Sequence, residues 1–197
     1  MFRNDPRAAD GEGVDKKLRT VPALVVLAFV VGSTVLVGTP ASSTAASTSK
    51  VLRIDHVADG DTVDLTNGAK VRLVQIDTPE VYFHPECYGR QASALTKRLL
   101  PPGTAVRLAR ETATDSVDGY GRLLRYVIRS RDGLDVNVRL VAVGAAAPYF
   151  YSGRRGRYAT KLMALVRDAR RRHLGLWGQC PGTRLDPNRG VSTGPPR

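Results

Sequence analysis

Five polar residues in three short stretches have the types and spacing for chemistry on a phosphate group. Asp61 lies in DGDTV, Arg72, Asp77 and Glu80 lie in VRLVQIDTPE, and Arg122 lies in DGYGRLLRYV. Carboxylate oxygens suit Ca²⁺ or Mg²⁺, and guanidinium groups suit phosphate. A further carboxylate can orient or deprotonate a water molecule. Together these are the parts that phosphoryl transfer to water requires.

Taken singly, each stretch also fits a purely structural role. The segment DGD that ends at Asp61 is typical of a turn, and the Thr-Pro pair after Asp77 is typical of a turn or helix cap. The glycines before Arg122 fit a hairpin turn with a solvated arginine. Only the combination, in which all five residues lie at strand ends of one small domain, favours a phosphate site.

Short apolar segments separated by turn residues must position these side chains. The patterns predict strands at 51–57, 62–66, 70–76, 104–109 and 122–129, and helices at 89–100, 135–143 and 158–174. Five strands with a helix after the third predict an α+β fold, a small five-stranded OB-type β-barrel with about three helices. Periodicity alone also allows another small α+β barrel. Because strand side chains alternate, Arg72 is predicted to point away from the core.

The N-terminal part of the chain differs in composition from the rest. A basic segment precedes an uncharged apolar run at 21–38, and small and hydroxyl residues follow it. Residues 1–45 are therefore predicted to be a signal peptide cleaved after Ala45, or a membrane anchor that spans with residues 21–38. Either places the domain at 46–180 outside the cell, secreted or tethered. The Pro/Gly-rich tail at 181–197 is predicted to be disordered.

The charge of the chain favours a polyanionic partner. It has 30 Lys and Arg against 18 Asp and Glu, a net charge of +12. A field of this sign attracts nucleic acid or an anionic surface. The run RDARRR at 167–172 either contacts the backbone of nucleic acid away from the site or is a solvated helix face.

The cysteines and histidines indicate a disulfide and no metal-binding motif. In an exported chain the pair Cys87 and Cys180 is predicted to form a disulfide bond. The histidines His56, His84 and His173 are scattered and lack the spacing of metal ligands.

Six stretches occur in an order that resembles the staphylococcal nuclease (thermonuclease) family. They are DGDTV, VRLVQIDTPE, YGRQASALTKRLL, DGYGRLLRYV, PYFY and GLW, between Val51 and Trp177. The resemblance implies a monomeric Ca²⁺-dependent phosphodiesterase that acts on DNA and RNA. It also implies in-line attack of water on phosphorus, loss of the 5′ oxygen and 3′-phosphate ends.

The same resemblance assigns roles to the acidic residues. Asp61 and Asp77 correspond to Ca²⁺ ligands, together with the backbone carbonyl of Thr78. Glu80 corresponds to the general base or the group that orients the attacking water. These assignments are expectations carried over from the family.

The resemblance also assigns residues to the substrate. Arg72 and Arg122 correspond to the groups that bind the scissile phosphate and stabilise its transition state. Tyr120, Tyr149 and Tyr151 correspond to tyrosines that line the nucleotide pocket. For the last two, packing within the barrel or a loop is the alternative.

Two positions depart from the family pattern, and one rival function stays open. Gly119 stands where the reference member has a lysine, and the loop after Glu80 is short and holds Cys87 instead of lysines. Both changes are expected to weaken binding of a terminal phosphate. The rival function is a noncatalytic OB-fold nucleic-acid-binding module at the cell surface, which the intact acidic residues disfavour.

Overall fold

The computed structural model describes residues 51–187. The predicted signal peptide or anchor at 1–45 lies outside these residues, as does the end of the predicted tail. Within the described part of the chain no helix is long and apolar enough to cross a membrane. The first residues of the predicted tail are packed, because Leu185 is 3% exposed and contacts the apolar cluster around Leu176 and Cys180.

The elements confirm the predicted α+β class. In chain order the elements are β1 (Leu52–Val57), β2 (Thr62–Leu65), β3 (Lys70–Leu73), β4 (Ile76–Asp77), α1 (Gly89–Leu99), β5 (Ala105–Arg110), β6 (Leu123–Arg129), α2 (Val136–Ala142), β7 (Ala147–Pro148), a 3-10 turn (Tyr151–Gly153), α3 (Ala159–Arg171) and α4 (Leu176–Gln179). Five strands close into a barrel in the order β1-β2-β3-β6-β5, and β4 and β7 form a separate two-stranded sheet. All barrel pairs are antiparallel except β3 and β6, which are parallel.

Alternation along the strands fills the barrel with β-branched and leucine side chains. Val63, Val71, Leu73 and Val127 are fully buried. Because successive strand residues point to opposite faces, Arg72 lies on the face opposite its buried neighbours, as predicted. The helix α3 covers one side of this core with its apolar face.

The third strand ends earlier than the predicted boundary at residue 76. Gln75 has a φ of 64°, a left-handed conformation that an extended strand does not allow. Its side chain donates to the carbonyl of Arg154 (2.9 Å) and accepts from the N–H of Gly156 (2.8 Å). These long-range hydrogen bonds fix the turn, so that the chain leaves the barrel after Leu73 and pairs again as β4 with β7.

A buried asparagine on α2 satisfies the backbone where β3 turns away. Asn137 is fully buried, donates to the carbonyl of Val74 (2.9 Å) and accepts from the N–H of Val127 (3.0 Å). The helix begins at a capping residue, Asp135, whose side chain accepts from the N–H of Val138 (3.1 Å). Unpaired backbone groups would be costly at this depth, so Asn137 holds the turn that places β4.

The predicted disulfide is present. Cys87 and Cys180 are bonded, with Cα atoms 5.8 Å apart, and link the loop before α1 to the end of α4. Trp177 packs against the core of the barrel and against the cluster around Leu176 and Cys180. The bridge therefore ties the C-terminal part of the domain to the loop that follows Glu80.

Candidate active site

The predicted site residues lie on or next to β2, β3 and β6 of the barrel and the end of β4. The Cα of Arg72 on β3 pairs with that of Thr62 on β2 and with that of Leu124 on β6. Arg122 lies two residues before Leu124 and therefore falls on the same face. Asp61 directly precedes β2, and Asp77 ends β4.

Arg72 joins the two aspartates that the sequence predicts as metal ligands. Its Nη2 is 2.9 Å from Asp61 Oδ2 and 2.7 Å from Asp77 Oδ1. Its Nη1 donates to the carbonyls of Leu73 (2.8 Å) and Ile76 (2.9 Å). We call Asp61, Arg72 and Asp77 the acid–arginine cluster. Arg72 thus contacts the acids directly, a contact that the sequence analysis did not predict.

Thr78 fixes the position of Asp61. Its N–H (2.9 Å) and its hydroxyl (3.1 Å) both donate to Asp61 Oδ2. Gly60 allows this close approach, because a Cβ there would lie 2.4 Å from Thr78 Oγ1. The helix α1 also holds the turn, since Thr96 Oγ1 donates to the Gly60 carbonyl (2.7 Å).

The acidic groups of the site outnumber the one arginine that pairs with them. Burial raises the pKa of Asp61 to about 8 despite the opposing effect of Arg72, and Asp59 and Asp77 add to the increase. Burial and repulsion from Asp77 and Asp59 raise the pKa of Glu80 to about 7. A bound cation would therefore stabilise the ionised forms of Asp61 and Glu80.

Glu80 is held by its backbone at the start of a short loop. Its N–H donates to Glu86 Oε2 (3.1 Å), and its carbonyl accepts from the N–H of Glu86 (2.9 Å). Gly89 lies so close that a Cβ there would be 2.2 Å from the Glu80 carbonyl oxygen. The first turn of α1 therefore packs directly on the backbone of Glu80.

Arg122 reaches the site through Thr62. Its Nη1 donates to Thr62 Oγ1 (3.4 Å), and that hydroxyl donates to Asp61 Oδ1 (3.4 Å). Asp118 holds the arginine from the other side, with its Oδ2 2.7 Å from Arg122 Nε. The guanidinium also lies over the ring of Tyr120, 5.3 Å from its centroid. Arg122 is thus partly exposed and aligned beside the acid–arginine cluster.

The other two predicted substrate tyrosines lie beside β4. Tyr149 follows β7, whose Ala147 pairs with Asp77, and its N–H donates to the carbonyl of Gln75 (2.9 Å). The rings of Tyr149 and Tyr151 meet edge to face with centroids 6.5 Å apart. Both are therefore near the end of the strand that carries Asp77, and their contact with a nucleotide stays a prediction.

The donor set fits a hard divalent cation. Asp61 and Asp77 offer carboxylate oxygens within reach of one atom of Arg72, and their surplus charge is not neutralised within the cluster. Residues 51–187 contain no group of three or more His, Cys, Asp or Glu side chains arranged to hold a metal. A cation here would therefore depend on oxygens beyond the two carboxylates, such as the Thr78 carbonyl, water and phosphate.

Several residues that shape the site escaped the sequence analysis. Asp118, Thr62 and Glu86 were not singled out, although each makes a hydrogen bond to a predicted site residue. The spacing of Asp118, four residues before Arg122 in a glycine turn, is a signal that could have indicated the ion pair. Thr62 and Glu86 carry no such local signal.

The arginine run at the end of α3 contacts Asp168 of the same helix and Trp177 of α4. Arg171 and Arg172 pair with Asp168, at 3.0 and 3.2 Å. The guanidinium of Arg170 lies 5.2 Å from the ring of Trp177. These contacts are typical of a solvated helix face, one of the two alternatives for this run.

The sequence of the chain matches a known protein family. The sequence profile described as staphylococcal nuclease homologue matches residues 70–179, more than half of the chain. The chain belongs to the staphylococcal nuclease homologue family. The match contains Arg72, Asp77, Glu80 and Arg122, and it begins after Asp61.

Two bacterial relatives are similar over the same part of the chain. Endonuclease YhcR of Bacillus subtilis strain 168 is 32% identical over 139 residues, which cover 64% of this chain and 11% of the relative. A protein of Escherichia coli O157:H7 named "Uncharacterized endonuclease" is 35% identical over 133 residues, 64% of this chain and 75% of the relative. The chain thus spans about a tenth of the length of the Bacillus relative and most of the Escherichia one.

Proposed function

We propose that this chain is a Ca²⁺-dependent nuclease that hydrolyses phosphodiester bonds of DNA and RNA. The observation that supports it most is the acid–arginine cluster with Arg122 aligned beside it on the same face. Membership of the family and the endonuclease names of the relatives support the same reaction class. The net charge of +12 supports a polyanionic substrate.

In the proposed reaction Glu80 accepts a proton from the attacking water. The oxygen of this water forms a bond to phosphorus as the bond from phosphorus to the 5′ oxygen breaks. The 5′ oxygen leaves with a proton from solvent, and a 3′-phosphate end remains. The pKa of Glu80, raised to about 7, makes this carboxylate a better proton acceptor than an ordinary glutamate.

The two arginines act on the phosphate in different ways. Arg122 is partly exposed and presents its guanidinium toward solvent beside Asp61, so it binds a non-bridging phosphate oxygen directly. Arg72 pairs with Asp61 and Asp77 and brings a positive charge close to the phosphate bound beside them. Together they stabilise the charge that develops on phosphorus substituents in the transition state.

Asp61, Asp77 and the Thr78 carbonyl are the groups that would hold Ca²⁺. When bound, the ion supplies Lewis-acid stabilisation of the phosphate charge. Thr78 keeps Asp61 oriented through its N–H and hydroxyl. Tyr120, Tyr149 and Tyr151 bind the nucleotide that carries the scissile phosphate, by hydrogen bonding or stacking.

We further propose that the domain acts outside the cell as a monomer. Secretion after cleavage at Ala45, or tethering through residues 21–38, both follow from the sequence of the N-terminal segment. After expression of the full chain, recovery of the protein from the culture medium or from the membrane fraction distinguishes these two, and intact mass locates the cleavage.

Cleavage of single-stranded DNA by the full chain tests the reaction. We expect cutting with Ca²⁺, none with chelator, and a loss of about 10²- to 10⁴-fold in kcat for Glu80→Gln. Mass spectrometry of the products should show 3′-phosphate ends. Arg107→Gln, a change of an exposed arginine on β5, is the matched control and should keep its activity.

The noncatalytic binding module is the outcome that would replace this proposal. Tight binding of the oligonucleotide without cleavage under Ca²⁺, Mg²⁺ or Mn²⁺ would indicate it. If Glu80→Gln and Arg122→Ala both keep near wild-type cleavage, the reaction is carried by other residues and the assignment is wrong.

A further inference from the structure

Four aromatic side chains in the described residues are unusually exposed, and each lies within three residues of a candidate site residue in the sequence. The exposed fractions are 54% for Tyr82, 98% for Phe83, 60% for Tyr120 and 41% for Tyr151. Tyr82 and Phe83 follow Glu80 in the same loop. Single exposed apolar residues are common on protein surfaces, but a set confined to the rim of one site indicates binding.

Phe83 is the extreme member of this set. It is almost fully exposed, and its φ of 61° lies in the left-handed region that disfavours a bulky residue. Neither feature stabilises the fold, since the ring buries no apolar area and the backbone is strained. A strained, exposed aromatic residue beside a site is an outlier from which a function can be inferred.

The loop presents Phe83 from a fixed position. Glu80 and Glu86 are joined by two hydrogen bonds, of 2.9 and 3.1 Å, which close the loop below Phe83. The Tyr82 hydroxyl donates to the carbonyl of Ala58 (3.1 Å), three residues before Asp61. The loop that carries Phe83 is therefore closed by the Glu80–Glu86 hydrogen bonds and tied to the Ala58 backbone through Tyr82, which lowers the entropy lost when a ligand binds.

The disulfide fixes the far end of the same loop. Cys87 is bonded to Cys180, and Gly89 at the start of α1 packs against the Glu80 carbonyl. The loop that carries Phe83 is therefore held at both of its ends, and this limits movement of Phe83 into the protein interior.

The distance along the chain matches a neighbouring nucleotide. Three residues separate Glu80 from Phe83, so their Cα atoms lie at most about 11 Å apart. This distance is compatible with contact between the Phe83 ring and a base next to a phosphate bound at Glu80 and Arg122.

We propose that Phe83 is a stacking platform for an unpaired base next to the scissile phosphate, and that this residue contributes to discrimination between single strand and duplex. The inference rests on the proposed nuclease function. Stacking on an aromatic ring tolerates any base but requires its face, which a duplex keeps inside the stack. The site then selects for strandedness and not for sequence.

Cleavage by Phe83→Ala tests the inference with two substrates of one sequence, a single strand and a duplex. We expect kcat/KM on the single strand to fall about 5- to 100-fold. The duplex should be cut slowly by both proteins, with little difference between them. Phe83→Leu, which keeps apolar area without a π-face, should behave as the alanine variant does, whereas Phe83→Trp should retain the wild-type rate.

A series of single strands identifies the stacked base. Each strand lacks one base, and the position of this abasic nucleotide differs from strand to strand on both sides of the cleavage point. At one position the wild-type rate should fall to that of Phe83→Ala, and the alanine variant should show no further loss there. Val51→Ala, at a residue that is 56% exposed at the start of β1, is the matched control and should cut every substrate as wild type does.

The outcomes separate this inference from the proposed function. If wild type cuts nucleic acid and Phe83→Ala cuts the single strand and the duplex as fast as wild type does, the stacking proposal is wrong and the nuclease proposal stands. An equal loss on single strand and duplex, or full activity of Phe83→Leu, also overturns stacking.

If wild type cuts neither substrate, the nuclease proposal fails, and binding of a single strand then tests the stacking proposal. Phe83→Trp then reports stacking by a change of its fluorescence with a single strand in chelator, relative to wild type, whose Trp177 is the background. No change with the single strand, or the same change with the duplex, would reject it.

Discussion

Two buried carboxylates of this domain have opposite electrostatic surroundings. Asp61 is 6% exposed and shares Arg72 with Asp77. Glu111, directly after β5, is 2% exposed and accepts from the hydroxyl of Tyr126 and from backbone N–H groups. We call Glu111, Tyr126 and the N–H donors of Ala113 and Arg157 the Glu111 network.

The difference appears in the pKa values and indicates what each region does. Burial alone would raise the pKa of Glu111, but hydrogen bonds from Ala113, Arg157 and Tyr126 lower it below its usual value. Burial and neighbouring acids raise the pKa of Asp61 to about 8. Glu111 is satisfied by fixed hydrogen-bond donors and stabilises the fold. The acidic groups around Arg72 are not fully satisfied, and such groups are typical of sites that bind a cation or carry out catalysis.

Removal of the shared arginine should have the largest effect on stability. Arg72→Met leaves Asp61 and Asp77 buried without their cation, and we expect the free energy of unfolding to fall by about 3–5 kcal/mol. Urea unfolding in chelator measures it. Arg107→Met, at an exposed position of β5, is the control. A loss no greater than that of the control would contradict the role of Arg72 as the cation of the cluster.

Calcium should stabilise one region and leave the other unchanged. At about 100 times the dissociation constant we expect about 2.7 kcal/mol of added stability for the wild-type chain. Asp61→Asn should lose this gain, and Glu111→Gln should keep it, because only the acid–arginine cluster has the surplus charge. Thermal unfolding with and without Ca²⁺ measures both, and an undiminished gain in Asp61→Asn would place the ion elsewhere.

Loss of the charge in the Glu111 network should affect stability and not chemistry. In Glu111→Gln the donors of the network would face an amide, whose N–H₂ cannot accept and whose oxygen is a weaker acceptor than a carboxylate. We therefore expect the free energy of unfolding to fall by about 2 kcal/mol. The kcat of cleavage below the melting temperature should match wild type. A loss of kcat at unchanged stability would mean that the network acts on the site.

The same contrast explains which parts of the molecule the sequence predicted. The acidic and basic site residues lie in contiguous stretches, DGDTV and VRLVQIDTPE, where turn residues and strand alternation indicate their positions. The barrel strands were also predicted and are confirmed. Local patterns are sufficient for these features, because neighbours in sequence are neighbours in space. The disulfide joins residues 93 apart, and it was predicted because the chain has one pair of cysteines.

Apart from the disulfide, the contacts between distant residues discussed above were not predicted. The third strand ends at Leu73 because Gln75 bonds to Arg154 and Gly156, and no local pattern near residue 75 indicates this. Glu111 follows a strand in a polar segment and resembles any solvated loop residue. Its donors lie up to 46 residues away, so its burial depends on tertiary packing.

Acid titration should separate the two regions by a smaller effect with a definite sign. Because the folded-state pKa of Glu111 lies below its ordinary 4.5, the folded protein holds this carboxylate ionised where the unfolded chain protonates it. The contribution is fully present above pH 4.5 and is lost as the pH falls through the folded-state value.

The difference in unfolding free energy between wild type and Glu111→Gln should therefore shrink as the pH falls from 7 to below 4.5, because only wild type carries this titration. The raised pKa of Asp61 has the opposite sign and is common to both proteins, so it cancels from the difference. Urea unfolding of both chains at a series of pH values, in chelator, measures it. A difference that grows on acidification would show that the donors of the Glu111 network favour its protonated form.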